Sequence, residues 1–239
     1  MTGGTRGIGR AVSLAIAASG AAVYAVFARN QACAAALAEH AAQQGLDIRC
    51  LRADLTDDEQ FRRCVETIRS ATDRIDVIVH SAASGVHREA AQLTVRHLAW
   101  TFAINVFAFH RLLVELLPLM GPGGRIIGVT SHGGTRAVRL YAAVGSSKGA
   151  LESLFRHYAQ ELAPRGIAVN LVCPGLVLTE ALDAFPDRED RVQAALSKTP
   201  TGRLTTVDDV AEAVLFLCGE RASQIVGQTL VIDGGRSLS

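Results

Sequence analysis

The stretch from Thr130 to Lys148 places three side chains that can act on one carbonyl oxygen close together in the chain. Ser131 and Tyr141 carry hydroxyl groups, and Lys148 carries an amine. A phenol with an ordinary pKa near about 10 is a useful proton donor at neutral pH only if a neighbouring cation stabilises its phenolate. Lys148 could be that cation, and Ser131 could hydrogen-bond the same oxygen. The alternative is a capping serine, a half-buried tyrosine and a solvated lysine, so the context of these residues decides.

The flanking segments indicate how these side chains are positioned. Arg125–Val129 is apolar enough to form a buried strand, and Gly149–Leu162 has the pattern of a helix. Ser131, Tyr141 and Lys148 are therefore expected to gather where a strand ends and a helix begins. In parallel α/β sheets, ligands bind at such strand ends.

Length and composition exclude several classes of protein. A chain of 239 residues can bury the core of one domain, which we predict for residues 1–239. The net charge is +1 and the basic residues are scattered, which argues against nucleic-acid binding. The five cysteines show no CxxC spacing, so neither a disulfide framework nor a zinc or other metal site is expected. They are typical of a cytoplasmic protein.

An apolar run from Ala11 to Ala28 follows Arg6 and Arg10, which is also the arrangement of a signal peptide or a short membrane span. The run is rich in alanine rather than leucine, and Ser19-Gly20 divides it. We therefore predict a helix followed by a strand, with neither export nor membrane insertion.

Glycines near the start of the chain have the spacing of a phosphate-binding turn. Gly3, Gly7 and Gly9 precede a helix that is predicted to run to about Ser19. Glycine lets the backbone approach a pyrophosphate, and the free N–H groups and dipole of a helix N-terminus attract anions. The pattern is weak by itself, and the next unit strengthens it.

That next unit is a predicted buried strand, Ala21–Ala28, which ends at Arg29. An acidic residue at this place would accept from a ribose 2′-hydroxyl, whereas an arginine can pair with a 2′-phosphate. Arg29, with possible help from Arg6, therefore favours NADPH over NADH. The alternative is that Arg29 is a solvated loop residue.

Two further strand ends carry residues suited to a nucleotide. Asp54 follows the predicted strand Leu46–Leu51 and precedes a helix for which Thr56–Glu59 predicts a capping box, so its carboxylate could accept from an adenine amino group. The predicted strand Ile75–Ser81 leads into Ala82-Ala83-Ser84-Gly85, whose small side chains permit flat contact with a nucleotide ring.

The second half of the chain continues the alternation of helices and strands. A helix predicted over Val95–Leu117 contains Asn105 among apolar residues, and a buried amide needs partners, so Asn105 either holds backbone groups or takes part in a water relay. The predicted strand Gly166–Val172 ends in Cys173-Pro174-Gly175. The polar segment Thr179–Arg203, with a weak helix at Glu189–Leu196, is predicted to be a mobile lid.

The last elements complete the predicted architecture. Thr206 starts a helix over Val207–Leu217, and Thr229–Ile232 is a final strand before Asp233-Gly234-Gly235. Strands alternate with helices throughout, which predicts an α/β fold with a doubly wound parallel sheet of the Rossmann type.

Together these motifs resemble the short-chain dehydrogenase/reductase family over nearly the whole chain. Within that family the sequence looks like the NADPH-dependent type III enoyl-acyl-carrier-protein reductases, on the strength of four features: Ser84-Gly85, the Phe185-to-Asp190 lid, Thr199-Pro200 to Gly202-Arg203, and the Gly234-to-Leu238 tail. In the commoner ketoreductases of the family the tyrosine precedes the lysine by four residues and follows the serine by thirteen, and both counts lead here to Val144. Tyr141 stands three residues earlier, which gives the Y-x6-K spacing that enoyl reductases of the family share.

This resemblance implies a function. The protein would reduce a 2-enoyl thioester with NADPH, with Tyr141, Lys148, Ser131 and Asn105 as its catalytic set. The close alternative is a 3-oxoacyl or other carbonyl reductase, and the distant one is a non-catalytic nucleotide-binding protein. The resemblance also implies an acyl carrier protein as carrier of the substrate and a homotetramer formed through the helices of Asn105 and Lys148. The expected cofactor-binding residues are Gly3, Thr5, Arg6, Gly7, Ile8, Gly9, Arg29, Asp54, Leu55, Ser81, Ala82, Ala83, Lys148, Pro174 and Gly175.

Two departures from the family pattern stand out. His80-Ser81 replaces the usual paired asparagines before the alanine. The first strand, which normally precedes the glycine turn in the middle of the sheet, is missing, because only Met1 comes before Thr2-Gly3. Its burial and backbone bonds would rival the net stability of a domain, about 5–15 kcal/mol. We therefore expect the natural protein to start upstream with an apolar run.

Overall fold

Within residues 1–185 and 187–238, which the computed structural model describes, six strands lie parallel to their hydrogen-bonded neighbours. They are Val23–Phe27 (β1), Ile48–Arg52 (β2), Val77–His80 (β3), Arg125–Val129 (β4), Ala168–Pro174 (β5) and Thr229–Ile232 (β6). β1 pairs with β2, and the other four follow in the order β3-β4-β5-β6. The predicted α/β fold with parallel strands is confirmed.

Helices connect these strands and cover both faces of the sheet. They are Gly7–Ala18 (α1), Gln31–Gln43 (α2), Asp58–Ala71 (α3), Val95–Phe102 (α4), Ala108–Leu116 (α5), Ala142–Leu162 (α6), Arg188–Ser197 (α7) and Val207–Cys218 (α8). Adjacent residues of β4 point to opposite faces, so Ile126 packs in a core with Phe109 and Phe155, while Ile127 packs in a second core with Val210. This two-sided burial explains why the strands are continuous apolar runs.

Met1 and Thr2 stand in the place of the missing first strand. The Thr2 amide donates to the Val79 carbonyl at 2.9 Å, and the Val26 amide donates to the Met1 carbonyl at 2.8 Å. Thr2 is thereby bridged to both β1 and β3, and this short segment joins the two-stranded and four-stranded sheets. The upstream apolar run stays a prediction.

The helix predicted over Val95–Leu117 contains a wider turn. α4 and α5 are joined by a π-helical turn, Ala103–Phe107, which includes the buried Asn105. By length and composition alone Val95–Leu119 could cross a membrane, with a mean hydropathy of 1.5, a criterion that core helices of soluble proteins also meet. Phe109, Leu112 and Leu113 of this stretch pack in the core beside the sheet.

Two predicted helix starts are wrong. α3 is capped by Asp57, whose side chain accepts from the Gln60 amide, because Thr56 is already tied to Asp54 through its amide and its hydroxyl. α6 begins at Ala142 rather than Gly149, so Tyr141 occupies its N-cap position. Glycine usually weakens a helix interior. At position 145, however, the close approach of another segment leaves no room for a side chain, because a Cβ on Gly145 would lie 2.6 Å from the Gly133 carbonyl oxygen.

Candidate active site

A cavity of about 480 Å³ opens at the carboxyl ends of the strands, where the sequence analysis expected a ligand. It is lined by the glycine turn, the ends of β1 to β5 and the start of α6. All of the predicted site residues line it except Asn105 and Gly175. The cavity is also lined by residues that the sequence analysis did not single out, among them Thr2, Asn30, Thr130, Thr179 and Glu180.

The glycine turn lets the backbone of the first loop lie directly against the end of β3. Gly3 has a φ of +66°, and a Cβ there would lie 2.8 Å from the Ala82 nitrogen. Arg6 takes the N-cap position of α1 without capping the helix through its side chain. The amides of the first turn are thus available to an anion, as a pyrophosphate requires.

Two arginines stand at the part of the cavity formed by α1 and β1. Arg29 is exposed and lines the cavity directly after β1. Arg6 also lines it, and its guanidinium donates to the Glu180 carboxylate at 2.8 Å. Glu180 therefore neutralises Arg6, and a bound phosphate would compete with this carboxylate for the same donor groups.

Asp54 is oriented by its own loop. Its Oδ1 accepts from the amide and the hydroxyl of Thr56, at 3.0 and 2.7 Å, and its amide donates to the Gln60 side chain. Leu55 follows it as a buried residue of the cavity wall.

His80 and Asn105 form a buried brace behind the cavity. His80 Nε2 donates to the Asn105 carbonyl at 3.1 Å, and His80 Nδ1 lies 2.8 Å from the Thr2 hydroxyl. Burial lowers the pKa of His80 to about 3, with a further contribution from Lys148, so the ring is neutral. The Asn105 side chain accepts from the Ser84 amide and donates to the Ser147 hydroxyl, both at 2.9 Å. The pair holds the exit of β3 against α6, with His80 in the place of an asparagine of the family pattern.

Ser131, Tyr141 and Lys148 meet at one wall of the cavity. Burial raises the pKa of Tyr141, and a hydrogen bond with Ser131 opposes this effect. Lys148 is buried, and its ammonium donates to the Val129 carbonyl at 2.8 Å. Burial lowers the pKa of Lys148 to about 8, while Glu152 and Cys173 act in the opposite direction. The pKa of Tyr141 is therefore raised rather than lowered, and of these two groups Lys148 has the pKa nearer to neutrality.

The segment predicted to be a lid lies over Tyr141. The Phe185 ring stacks on Tyr141 with centroids 6.0 Å apart, and the His87 ring lies 4.1 Å from that of Phe185. The Arg191 guanidinium covers Phe185 at 4.2 Å and bonds the Asp187 carboxylate at 2.6 Å. Pro186 of the predicted lid lies outside the described residues. The sequence analysis missed His87, because an isolated histidine in a loop gives no local pattern.

Comparisons with known proteins agree with this geometry. Residues 3–237 match the family model described as Enoyl-(Acyl carrier protein) reductase. The chain is 35% identical to 1-cyclohexenylcarbonyl-CoA reductase of Streptomyces collinus, over all of this chain and 86% of that protein. It is 32% identical to the 3-oxoacyl-acyl-carrier-protein reductase FabG of Escherichia coli strain K12, over 98% of this chain and 95% of that protein.

Solved structures show the same fold. A short-chain dehydrogenase/reductase from Serratia marcescens superposes with a TM-score of 0.89 at 32% identity, covering 99% of this chain and 96% of that one. A short-chain dehydrogenase from Burkholderia cenocepacia, solved in complex with NADP, superposes with a TM-score of 0.88 at 30% identity over the same shares. The nucleotide-type cavity, the serine, tyrosine and lysine at its wall and these matches along the whole chain lead to one conclusion. The chain belongs to the short-chain dehydrogenase/reductase family and is an oxidoreductase.

Proposed function

We propose that this protein uses NADPH to reduce the carbon–carbon double bond of a 2-enoyl thioester, giving the saturated acyl thioester. The observation that carries the proposal is the position of Tyr141, which lines the cavity from the N-cap position of α6. The place that a ketoreductase gives to its tyrosine is filled by Val144, which is buried and packs against Gly85.

This displacement of the hydroxyl suits an enoyl substrate for a geometric reason. A ketoreductase delivers hydride to the carbon whose oxygen is protonated, whereas an enoyl reductase delivers it to the β-carbon. The thioester oxygen that takes up charge then lies further from the hydride donor. Tyr141 lies at the N-cap position of α6, seven residues before Lys148 and about one turn before Val144, so the phenol is set back as this reaction requires.

NADPH, when bound, supplies the hydride that the β-carbon receives. The electrons of the double bond then move toward the thioester oxygen, where Tyr141 and Ser131 donate hydrogen bonds to the developing enolate. The α-carbon finally takes a proton from solvent, so that one hydride and one proton are added in total. The pKa of Tyr141 is raised, so its hydroxyl remains protonated and acts chiefly as a hydrogen-bond donor.

Lys148 and Asn105 have supporting parts in this scheme. The Lys148 ammonium stabilises the charge near Tyr141, and by family resemblance it also binds the nicotinamide ribose. Asn105 acts as a brace, because both ends of its side-chain amide are bonded to Ser84 and Ser147.

The cavity fits a dinucleotide with a 2′-phosphate. The close approach at Gly3 and the open N-terminus of α1 suit a pyrophosphate, and Arg29 and Arg6 suit the additional phosphate. The presence of NADP in the Burkholderia relative supports the same choice. We assign cofactor binding to those predicted cofactor residues that line the cavity, which leaves out Gly175, with Thr179 as a further residue of the cavity wall.

A carbonyl reductase of the same fold is the second candidate. The position of Ser131 and Tyr141 on the same cavity wall favours it, because such a pair can bind a ketone oxygen directly. The likeness to the E. coli 3-oxoacyl reductase supports it too.

The substrate carrier and the assembly belong to the same proposal. Relatives named for coenzyme A and for acyl carrier protein substrates match at similar identities, so both carriers fit, and we retain acyl carrier protein as the first choice. Phe107 and Val114 expose about half of their surfaces along α4 and α5, which supports a homotetramer formed through this helix and α6. We place the enzyme in the cytoplasm.

The position of the transferred hydride tests the reaction directly. The enzyme is incubated with NADPH deuterated on its transferring position and with a crotonyl thioester, and the product is analysed by NMR. The proposal expects a butyryl thioester carrying deuterium at C3. In a parallel incubation with an acetoacetyl thioester, deuterium at C3 of a 3-hydroxybutyryl product, together with no reduction of the crotonyl thioester, would favour the carbonyl reductase.

A further inference from the structure

A buried carboxylate, that of Glu152, lies behind the wall of the proposed active site and has no part in the scheme above. Glu152 is 6% exposed and lies four residues after Lys148 on α6, hence on the same face of the helix. A charged group in the interior is costly unless it is hydrogen-bonded and faces an opposite charge.

The contacts of Glu152 tie α6 to the end of β4. The Thr130 hydroxyl donates to its Oε1 at 2.6 Å, and the Thr130 amide donates to the Val172 carbonyl at 2.8 Å. The turn after Ser131 closes over the carboxylate, since a Cβ on Gly134 would lie 2.6 Å from Oε1. Glu152 thus holds the residue directly before Ser131 and is sealed from solvent by the same turn.

The charged and titratable groups around Lys148 leave Glu152 as its counter-charge. The groups that interact electrostatically with Lys148 are Glu152 on its own helix, Cys173 on β5 and His80 on β3, and Tyr141 lines the same cavity. Burial raises the pKa of the Cys173 thiol to about 12, with Glu152 and Asp233 raising it and Arg136 and Lys148 lowering it. The pKa of His80 is about 3 and that of Tyr141 is raised, so at neutral pH both are uncharged. Among these groups, the carboxyl group is that of Glu152, which acts on Lys148 in the direction that favours the ammonium.

We propose that Glu152 is a positioning residue whose carboxylate keeps the buried Lys148 protonated. Its hydrogen bond with Thr130 also holds the turn that follows Ser131 against α6. The catalytic consequence rests on the function proposed above, whereas the effect on the protonation of Lys148 does not. Burial lowers the pKa of Lys148, and the Glu152 carboxylate opposes this effect. Without that carboxylate, the pKa of Lys148 would fall further. The lysine would then be neutral over much of the physiological pH range.

The chain allows a direct measurement of this effect, because Lys148 and Lys198 are its only lysines. Protein labelled with 13C at the lysine ε-carbon gives two signals, and Lys198→Arg assigns them. Glu152→Gln removes the charge while keeping an oxygen that accepts from Thr130. The titration midpoint of Lys148 is expected to fall by at least about one pH unit in this variant, with that of Lys198 unchanged. An unchanged Lys148 midpoint would overturn the proposal.

Two further variants separate charge from packing. Glu152→Asp keeps the charge and should hold the Lys148 midpoint near the wild-type value. Thr130→Val removes the hydrogen bond but leaves the carboxylate, and it should lower the melting temperature while moving the Lys148 midpoint much less than Glu152→Gln does. If Thr130→Val moves the midpoint as far as Glu152→Gln, the role is one of packing and the charge assignment is wrong.

The wild-type protein provides a test that does not depend on any variant folding. Glutamate labelled with 13C at the δ-carbon reports whether Glu152 is ionised at pH 7, and a buried carboxylate found protonated there would contradict the proposal. None of these titrations uses a substrate, so they distinguish a failure of this inference from a failure of the proposed reaction. If this inference and the proposed reaction are both correct, kcat/KM of Glu152→Gln should begin to fall at a lower pH than that of the wild type. The size of this shift should equal the shift of the Lys148 titration midpoint.

Discussion

At the scale of single residues, two different groups of the site donate the hydrogen bond and titrate near neutral pH. Tyr141 is the proposed donor, and Lys148 is the group that titrates. Tyr141 is partly buried and its pKa is raised, so it keeps its proton at neutral pH, while Lys148 has a pKa of about 8. In the proposed reaction, enolate stabilisation needs a donor that stays in place more than one that ionises, and a protonated Tyr141 would meet this need. The residue types and the spacing were predictable from sequence. The upward shift in the pKa of Tyr141 was not, because it depends on burial in the folded protein.

Replacing Tyr141 by phenylalanine tests the donor. Tyr141→Phe should lower kcat on an enoyl thioester by roughly 10²-fold or more with little change in NADPH affinity, since the hydroxyl acts mainly on charge formed in the transition state. Steady-state kinetics and a cofactor titration measure both quantities. Tyr158→Phe on the same helix, outside the cavity, is the matched control. Near-normal turnover of Tyr141→Phe would remove this residue from the mechanism.

Lys148 should impose a pH dependence on the reaction. Its pKa is lowered from 10.5 to about 8, so the ammonium is present below that pH and is lost as the pH rises through it. We expect kcat/KM to be highest below pH 8 and to fall above it, and Lys148→Ala to impair both turnover and NADPH binding. A loss of turnover in Lys148→Ala with an unchanged cofactor Kd would contradict this double role.

Arg29 should set the preference between the two nicotinamide cofactors. Arg29→Asp removes a charge-assisted hydrogen bond, worth about 1.5–3 kcal/mol, and adds repulsion against a 2′-phosphate. The ratio of Kd values for NADH and NADPH should therefore fall by at least about tenfold. Arg52→Asp, at the exposed end of the neighbouring strand, serves as a control of equal charge change. An unchanged ratio in Arg29→Asp would assign the phosphate to Arg6 or another residue.

At the scale of elements, local signals were reliable where the structure is decided locally. Thr206 caps α8, and Thr229–Ile232 forms β6, as the sequence predicted. The start of α6 and the π-helical turn at Asn105 could not be predicted, because both depend on partners distant in sequence. Gly145 fits under the Ser131 turn, and Asn105 is fixed by Ser84 and Ser147. The proposed lid was suggested by polarity alone, and its contacts through Phe185 and His87 required the fold.

The ion pair between Glu180 and Arg6 connects the proposed lid to the cofactor cavity. Exposed pairs of this kind are worth about 0–1 kcal/mol. Glu180→Gln should release Arg6 for a phosphate and strengthen NADPH binding by up to about fivefold, measured by fluorescence titration. Glu189→Gln, an exposed acid on α7, should leave the affinity unchanged. Weaker binding by Glu180→Gln would show that Glu180 itself contacts the cofactor.

At the scale of the whole molecule, the parallel sheet brings the predicted residues, apart from Asn105 and Gly175, to one cavity at the carboxyl ends of its strands. The alternation of strands and helices was enough to predict this, because the carboxyl ends of parallel strands lie on one side. The manner in which Thr2 joins the two sheets was not predictable, since its bonds to Val79 and Ser81 lie far along the chain. The distinction between an enoyl and a carbonyl reductase then depends on where one tyrosine stands relative to the shared framework.

The ratio of two specificity constants tests that distinction most directly. The values of kcat/KM with NADPH are measured for a crotonyl and an acetoacetyl thioester on the same carrier, at a pH below 8. The account predicts a preference for the crotonyl thioester of at least about 10²-fold, since the Tyr141 hydroxyl is set back for the thioester oxygen and Val144 offers no donor near a ketone. An equal or higher value for the acetoacetyl thioester would contradict the central claim.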